Sequence, residues 1–334
     1  MVWVYFFISA GLIIFAGMSL SKNADIIAEK TGLGGALVGV LLLPIVTSLP
    51  EIVTSAQAAI IGNPDIAVGN VFGSNMFNIV IIAVVDLVQG SGPLLLNVKM
   101  GHILTGGIGI LLSGLAAIFI LAKINLSIFG VGIDSIILVL VYLVGVRLLL
   151  RYNKRESLEE QKEQDEQQEE SYTNTTLFHG VRGFVVSGII IVFAGRTLAN
   201  TGNQIGELTG LGGSFVGSFL IAITTSLPEL VATFTAAKMG AFDMAIGNVL
   251  GANVMNILII FITDIFYTGK PILTVIAPQN AIAAMVGIGL TSIAIIGLIY
   301  RSKKSVFTLG FDSWSIVLGY LLAAFLLFTM GVNL

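Results

Sequence analysis

The chain of 334 residues is 56% hydrophobic and only 10% charged, with a net charge of −3 and no cysteine. A soluble domain carries about 25% charged residues, so this composition indicates an integral membrane protein, and the lack of cysteine excludes disulfides and thiolate metal sites. Apolar runs of about 20 residues recur along the chain, which favours membrane-spanning helices over the shorter alternating strands of a barrel.

Ten membrane spans are predicted. The first lacks the basic start of a cleaved signal peptide and is expected to be retained. Polar segments separate the spans, beginning with SKNADIIAEKTG after the first one. The predicted spans are 2–21, 34–61, 65–88, 102–122, 126–150, 178–199, 212–239, 243–267, 276–299 and 312–332.

Residues 151–175 differ from the rest of the chain because they are almost wholly polar and acidic overall. They predict a flexible, solvated linker, with a short surface helix or a regulatory arm as alternatives. If this linker is cytoplasmic, the inner side holds 13 Lys and Arg residues and the outer side holds 3. The positive-inside rule then places both termini outside the plasma membrane.

The linker divides the chain into two halves, 1–150 and 176–334, which repeat one another at an offset of 178 residues. Because each half has an odd number of spans, the halves enter the membrane from opposite sides, as in many secondary transporters. The predicted fold is therefore an all-α membrane protein with ten transmembrane helices in two inverted five-helix repeats. The clearest shared blocks are TSLPE at 47–51 and 225–229, and DIAVGNVFGSNMFN at 65–78 against DMAIGNVLGANVMN at 243–256.

The TSLPE segments combine a helix breaker with a carboxylate inside an apolar span. Pro50 and Pro228 have no N–H to donate, and proline disfavours helix at the residue before it, so we predict that helices 2 and 7 break at the midplane. The carbonyls released by each break must be satisfied. An acid at the centre of a span costs about 3 kcal/mol on insertion scales. Glu51 and Glu229 therefore indicate a functional site, and a protonated glutamate bonded to a neighbouring helix is the alternative.

The third and eighth spans carry the second repeated block. Gly69 and Gly73 have the small-xxx-small spacing that lets helix backbones approach closely. Asn70, Ser74 and Asn78 are spaced by four residues and so share one face of the third span. The block in the second half repeats this pattern, with alanine replacing the serine.

Two asparagines in each block allow more than one role. Asn75 and Asn253 fit interhelical hydrogen bonding and ion binding equally well, whereas Asn78 and Asn256 lie deeper on the face expected to meet the glutamates, which favours ion binding. Carboxylates, hydroxyls, amide oxygens and carbonyls suit Ca²⁺, Na⁺, Mg²⁺ or Mn²⁺ rather than Zn²⁺ or Cu²⁺. Two carboxylates neutralise one divalent or two monovalent ions, which is the charge balance that an exchanger requires.

Further acids stand at the ends of the same two spans. Asp65 and Asp243 begin the spans and are predicted to cap the helices. Asp86 and Asp264 end them and are predicted to be solvated near the membrane surface.

The two segments 44–78 and 222–256 resemble the alpha repeats of the prokaryotic sodium/calcium exchanger branch of the cation/calcium exchanger superfamily. The resemblance implies that the first and sixth spans slide across the other helices. The sequence departs from the usual pattern at Asn256, where the branch often has Asp, and at Ala252, where it often has Ser. By resemblance, the ion-binding residues are Thr47, Ser48, Glu51, Ser74, Asn78, Thr225, Ser226, Glu229 and Asn256.

The implied function is a secondary antiporter that exports Ca²⁺ in exchange for Na⁺ by alternating access. The expected partners are these two ions and the lipid bilayer, with no cofactor, nucleic acid or obligate protein partner. The sequence contains no P-loop and no large soluble domain, so an ATP-driven pump or a hydrolase is not expected. A H⁺-coupled antiporter for Ca²⁺ or another divalent cation, a channel, and a non-transporting ion sensor remain as alternatives.

Overall fold

The structure is a computed structural model, and it describes all residues except 32–42, 90–93, 161–175, 239, 241, 302–304, 307–308 and 333–334. The described part is helical apart from two short hairpins. Within it, eight helices are long and apolar enough to cross a membrane, and a bent pair of helices adds a ninth. The expectation of an all-α membrane protein is therefore confirmed.

The first half begins with a helix longer than its predicted span. The helices are α1 (Val2–Thr31), α2 (Leu43–Thr47), α3 (Leu49–Ile60), α4 (Pro64–Gln89), α5 (His102–Ala122) and α6 (Ile133–Glu160). The apolar part of α1 suited to a membrane is Val2–Leu20, close to the predicted span 2–21, and the helix continues beyond it through the polar segment to Thr31. Within this continuation, Asn23 donates to the carbonyl of Ser19 at 2.6 Å and Ile26 is buried.

The second half follows a similar order of elements. Its helices are α7 (Leu177–Thr209), α8 (Gly213–Phe215), α9 (Ala222–Thr225), α10 (Leu227–Lys238), α11 (Phe242–Phe266), α12 (Ile272–Val275), α13 (Gln279–Tyr300) and α14 (Phe311–Val332). A stretch of π-helix, Val216–Ile221, joins α8 to α9. Helix α6 runs into the segment predicted as a linker, and 161–175 lie outside the described residues.

Both TSLPE segments interrupt a helix at their serine. Helix α2 ends before Ser48 and α9 ends before Ser226, and each serine has ψ near 6° instead of a helical value. The helix across Ser226 bends by 43° between Gly213–Thr225 and Leu227–Lys238. New helices begin directly after the breaks, at Leu49 and Leu227, and Pro50 and Pro228 lie in their first turns, where proline is well tolerated.

One antiparallel hairpin precedes the last long helix of each half. The two hairpins are formed by β1 (Ser127–Ile128) with β2 (Val131–Gly132), and by β3 (Ser305–Val306) with β4 (Leu309–Gly310). Phe129 and Gly130 both have positive φ, as a two-residue type I′ turn requires. The hairpins are again 178 residues apart, so the correspondence between the halves extends beyond the three spans on which the sequence showed it.

The most buried helices are α4 and α11, which pack against each other at the centre of the molecule. Helix α1 packs chiefly along α7 at the periphery. Ala16, Leu20 and Ile191 form a small hydrophobic cluster between these two helices, separate from the main core. The central helices thus hold the repeated motifs, while α1 and α7 form a distinct pair beside them.

Candidate ion-binding site

All the residues predicted to bind ions lie inside the protein. They come from the two helix breaks and from the central helices α4 and α11. No more than 1% of the surface of any of them is exposed: Thr47, Ser48, Glu51, Ser74, Asn78, Thr225, Ser226, Glu229 and Asn256.

Glu51 is held by hydroxyl groups from both halves of the chain. Its Oε1 accepts from Ser226 at 2.9 Å and from Ser74 at 3.4 Å. Glu229, in the second half, interacts with the Thr47 hydroxyl of the first half. The charge of Glu51 also acts on the Glu229 carboxylate. Each glutamate therefore meets a hydroxyl group of the opposite TSLPE segment, Ser226 for Glu51 and Thr47 for Glu229, and these contacts bring the two breaks together.

The glutamates begin helices α3 and α10, where their negative charge faces the positive end of the helix dipole. The second carboxylate oxygen of each, Oε2, is buried and has no hydrogen-bond partner among the described residues. The same is true of the Ser48 hydroxyl. The breaks thus present oxygen atoms that no donor in the described part of the chain satisfies.

Four asparagines, two from α4 and two from α11, hydrogen-bond the two helices to each other. Asn78 donates to Oδ1 of Asn253 at 3.0 Å, and Asn256 donates to Oδ1 of Asn75 at 3.0 Å. Asn75 and Asn253 also donate to each other's backbone carbonyl, at 3.3 and 3.1 Å. Of the two roles left open for Asn75 and Asn253, the structure shows interhelical hydrogen bonding.

The same hydrogen bonds fix the orientation of the side-chain amides of Asn78 and Asn256, the two asparagines predicted as ion ligands. Because the amide nitrogens of Asn78 and Asn256 face the opposite helix, their Oδ1 atoms are left without a partner among the described residues. An amide with its nitrogen engaged and its oxygen unpaired is oriented as a cation ligand would be.

Asn70 and Asn248 hold the central helices against the helices that begin at the breaks, a role that the sequence analysis did not assign. Asn70 donates to Ser55 at 2.9 Å, and Asn248 donates to Thr233 at 3.0 Å, so the two contacts repeat at the same offset. Thr225 in turn donates to Oδ1 of Asn70 at 3.1 Å. Asn70 shares a face with Ser74 and Asn78. This four-residue spacing is the sequence feature from which a contact of Asn70 near the site could have been predicted.

Glycines let the central helix approach the π-helical stretch closely. A Cβ on Gly73 would collide with the backbone of Ser218, and a Cβ on Gly217 would lie 2.7 Å from the carbonyl of Ile66. The close approach expected from the small-xxx-small spacing is therefore present. Beyond this stretch, Thr225 donates to Asn70, and Ser226 donates to the same oxygen of Glu51 as Ser74 does.

The aspartates at the ends of the central helices have structural contacts. Asp65 accepts from the N–H of Ala277 at 2.7 Å and from Asn280 at 2.8 Å, and Asp243 accepts from the N–H of Lys99 at 2.7 Å. Asp86 and Asp264 are only 1% exposed, so the prediction that they are solvated is wrong. Both carboxylates are instead satisfied by hydrogen bonds from the hairpins and from the turns that follow their helices.

The candidate site offers many neutral oxygens and few charges. Buried acceptors without donors are costly, and a hard cation would satisfy several of them together. No group of three or more His, Cys, Asp or Glu suited to a metal occurs in the described part of the chain. A cation here would rely on two carboxylates with hydroxyl and amide oxygens, a set that suits Ca²⁺ or Na⁺.

Comparison with known proteins places the chain in a family. The family model for sodium/calcium exchanger protein matches residues 1–151 and 179–274. The sodium/calcium exchanger MaX1 of Methanosarcina acetivorans is 29% identical over 277 residues, covering 74% of this chain and 77% of the relative. The inner membrane protein YrbG of Escherichia coli is 28% identical over 265 residues, covering 75% and 74%.

Two solved structures share the fold. The sodium-calcium exchanger NCX_Mj superposes with a TM-score of 0.60 at 21% identity, covering 97% of this chain and 98% of that one. The H⁺/Ca²⁺ exchanger CAX superposes with a TM-score of 0.70 at 13% identity, covering 99% and 86%. The match of the family model over both halves shows that the chain belongs to the sodium/calcium exchanger family of cation antiporters, which are transporters and not enzymes.

Proposed function

We propose that this protein exports Ca²⁺ in exchange for Na⁺ by alternating access, with the transported ions bound between Glu51 and Glu229. The observation that carries the proposal is the pairing of two buried glutamates from two helix breaks, each with an unsatisfied Oε2. Two buried carboxylates close to one another are costly without a counter-charge, and a bound cation would offset that cost.

The charge balance supports both ion types. The two carboxylates carry two negative charges, which one Ca²⁺ or two Na⁺ would neutralise, and the amide oxygens of Asn78 and Asn256 add neutral ligands. An occupied site is then electrically neutral with either ion, whereas an empty site leaves two charges buried. This difference would oppose the return of the empty carrier and so couple the two fluxes.

We further propose that the fold consists of ten spans in two inverted five-helix repeats, 1–150 and 176–334, joined by a cytoplasmic segment at 151–175. The contacts repeat at an offset of 178 residues from the helix breaks to the hairpins. The excess of Lys and Arg on the side of the linker supports a plasma-membrane protein with both termini outside.

Movement of α1 and α7 across the other helices would open the site to each side in turn. Gly17 on α1 lies against the ring of Pro228, where a Cβ would collide with it. Gly195, at the equivalent position on α7, lies against the first half, where a Cβ would be 2.9 Å from Val53 and 3.1 Å from the Thr54 hydroxyl. Smooth glycine surfaces thus meet the two broken helices at the places where sliding would occur.

A H⁺-coupled Ca²⁺ antiporter is the second candidate. Two observations favour it: the H⁺/Ca²⁺ exchanger CAX shares the fold, and Asn256 is an amide where an acid would add charge for a further Na⁺. Protons on the two glutamates would balance the charge of one Ca²⁺ in the same site.

Flux in proteoliposomes distinguishes the two candidates. Purified protein is reconstituted, and ⁴⁵Ca²⁺ uptake is measured with an outward Na⁺ gradient at equal pH, and separately with an outward H⁺ gradient without Na⁺. The proposal predicts uptake driven by the Na⁺ gradient and abolished when monensin collapses that gradient. Uptake driven only by the H⁺ gradient supports the second candidate, and uptake that needs no counter-ion indicates a channel.

A further inference from the structure

A pair of buried carboxylates lies outside the site described above. Asp264 is in the last turn of α11, and Asp134 is in the first turn of α6, directly after the β1–β2 hairpin. Asp264 is 1% exposed and Asp134 is fully buried. Gly132 lies between them, since a Cβ there would collide with Oδ1 of Asp134 and lie 3.1 Å from Oδ2 of Asp264. The two carboxylates are therefore neighbours.

Only part of this pair is satisfied by the protein. Asp264 accepts from the N–H groups of Ile272 and Gly132, both at 2.7 Å. Oδ1 of Asp134 accepts from the N–H of Ser135 at 2.8 Å. Oδ2 of Asp134 and the hydroxyl of Ser135 are buried without a hydrogen-bond partner in the described part of the chain.

The corresponding pair in the other half serves as an internal comparison. Asp86 accepts from the N–H of Leu94 at 2.6 Å, from the N–H of Gly310 at 3.1 Å and from the Ser313 hydroxyl at 2.6 Å. Its neighbour Asp312 is half-buried and so remains in reach of water. The Ser313 hydroxyl donates to Asp86 in this pair. The hydroxyl of the equivalent Ser135 has no hydrogen-bond partner among the described residues.

Within the described part of the chain, the Asp134–Asp264 pair lacks a positive charge to balance its two carboxylates. The charge of Asp264 acts unfavourably on Asp134, and no Lys, Arg or His side chain forms an ion pair with either of them among the described residues. Two neighbouring buried charges of the same sign need a counter-charge or a proton. A proton on Asp134 is the alternative to a cation, because it would remove one charge and could be donated to Asp264 or to the Ser135 hydroxyl.

We propose that Asp134, Ser135 and Asp264 bind one Ca²⁺ ion in a second site, distinct from the Glu51–Glu229 site. The ligands are Oδ2 of Asp134, the Ser135 hydroxyl and the remaining lone pairs of the Asp264 carboxylate. Oxygen ligands with two negative charges match a divalent hard cation. A bound ion would tie the β1–β2 hairpin to the end of α11 and to the start of α6.

The test counts bound ions when the central site is disabled. ⁴⁵Ca²⁺ equilibrium dialysis is performed in Na⁺-free buffer on the full-length, detergent-purified Glu51→Gln/Glu229→Gln variant. The proposal predicts that about one Ca²⁺ per chain remains bound. Adding Asp134→Asn should remove it, whereas the matched Asp312→Asn should not. Absence of bound Ca²⁺ in the background, or full retention after Asp134→Asn, would overturn the proposal.

Two further measurements guard against variants that do not fold. Ser135→Ala removes only the unused hydroxyl and should weaken Ca²⁺ binding in the same background, while Ser313→Ala should leave the affinity unchanged. If the double glutamine background is unstable, the wild-type stoichiometry is compared with that of Asp134→Asn, which should bind one ion fewer. Equal stoichiometry contradicts the second site. Neither result depends on which counter-ion drives transport, so the proposed function is tested separately.

Discussion

The Ser226 hydroxyl donates to Oε1 of Glu51 at 2.9 Å, although the two residues are 175 positions apart in the chain. This contact joins the break between α9 and α10 to the first turn of α3. It makes the candidate site a shared product of both halves, so a change to either glutamate should disable the whole site.

Replacing either glutamate by glutamine tests the charge of the site. Glu51→Gln and Glu229→Gln keep the size of the side chain but remove one of two negative charges. Loss of an outer-shell partner alone costs 10–100-fold in metal affinity, so we expect ⁴⁵Ca²⁺ flux to fall by more than about 100-fold. Flux in proteoliposomes is the measurement. The control is Glu207→Gln, which changes a carboxylate that bonds Asn203 on the α7 surface and should leave flux intact.

Asn256→Asp tests whether its amide oxygen faces the transported ion. The change adds a negative charge and removes the donor to Asn75, at a cost of about 1 kcal/mol in stability. We expect the dependence of ⁴⁵Ca²⁺ flux on Na⁺ concentration and pH to change while transport continues. If both dependences match those of the unaltered protein, Asn256 is not an ion ligand.

Gly17→Ala tests the proposed sliding of α1. A methyl group would press on the ring of Pro228, and overpacking costs about 1–3 kcal/mol. If this strain falls on the transition between states, the flux rate at saturating Ca²⁺ should fall by roughly tenfold or more. Gly11→Ala is the matched control, because nothing lies within 4 Å of a Cβ on Gly11 of the same helix. Equal rates for the two variants would argue against a sliding contact at Gly17.

Gly73→Ala tests the close contact between α4 and the π-helical stretch. A Cβ there would collide with the backbone of Ser218, which cannot move as a side chain can. We expect a loss of about 1–3 kcal/mol in the free energy of unfolding, seen as a lower melting temperature in detergent. Gly289→Ala, on α13 with nothing within 4 Å of its Cβ, should melt close to the unaltered protein. A melting temperature unaffected by Gly73→Ala would contradict the packing.

The features that the sequence predicted are those with a local physical cause. Proline without an N–H, preceded by Thr-Ser in an apolar span, predicts a helix break, and the breaks occur at Ser48 and Ser226. The repeated spacing of Asn70, Ser74 and Asn78 predicts a shared face, and these three side chains are all buried. Local chemistry was sufficient in both cases.

The features that the sequence did not predict depend on contacts between distant segments. Asp86 and Asp264 look like surface acids at helix ends, yet each is buried by a hairpin from the opposite half. The continuation of α1 past residue 21 depends on packing along α7. The division of roles between Asn75, which bonds across helices, and Asn78, which keeps an unpaired oxygen, follows from the pairing of α4 with α11.

The most direct test of the central claim is an experimental structure of the protein in Ca²⁺. The account predicts one ion between Glu51 and Glu229, coordinated by both carboxylates at about 2.3–2.6 Å with an amide oxygen of Asn78 or Asn256 nearby. A structure in which the two carboxylates remain without an ion at saturating Ca²⁺, with the ion bound elsewhere in the transmembrane region, would contradict it.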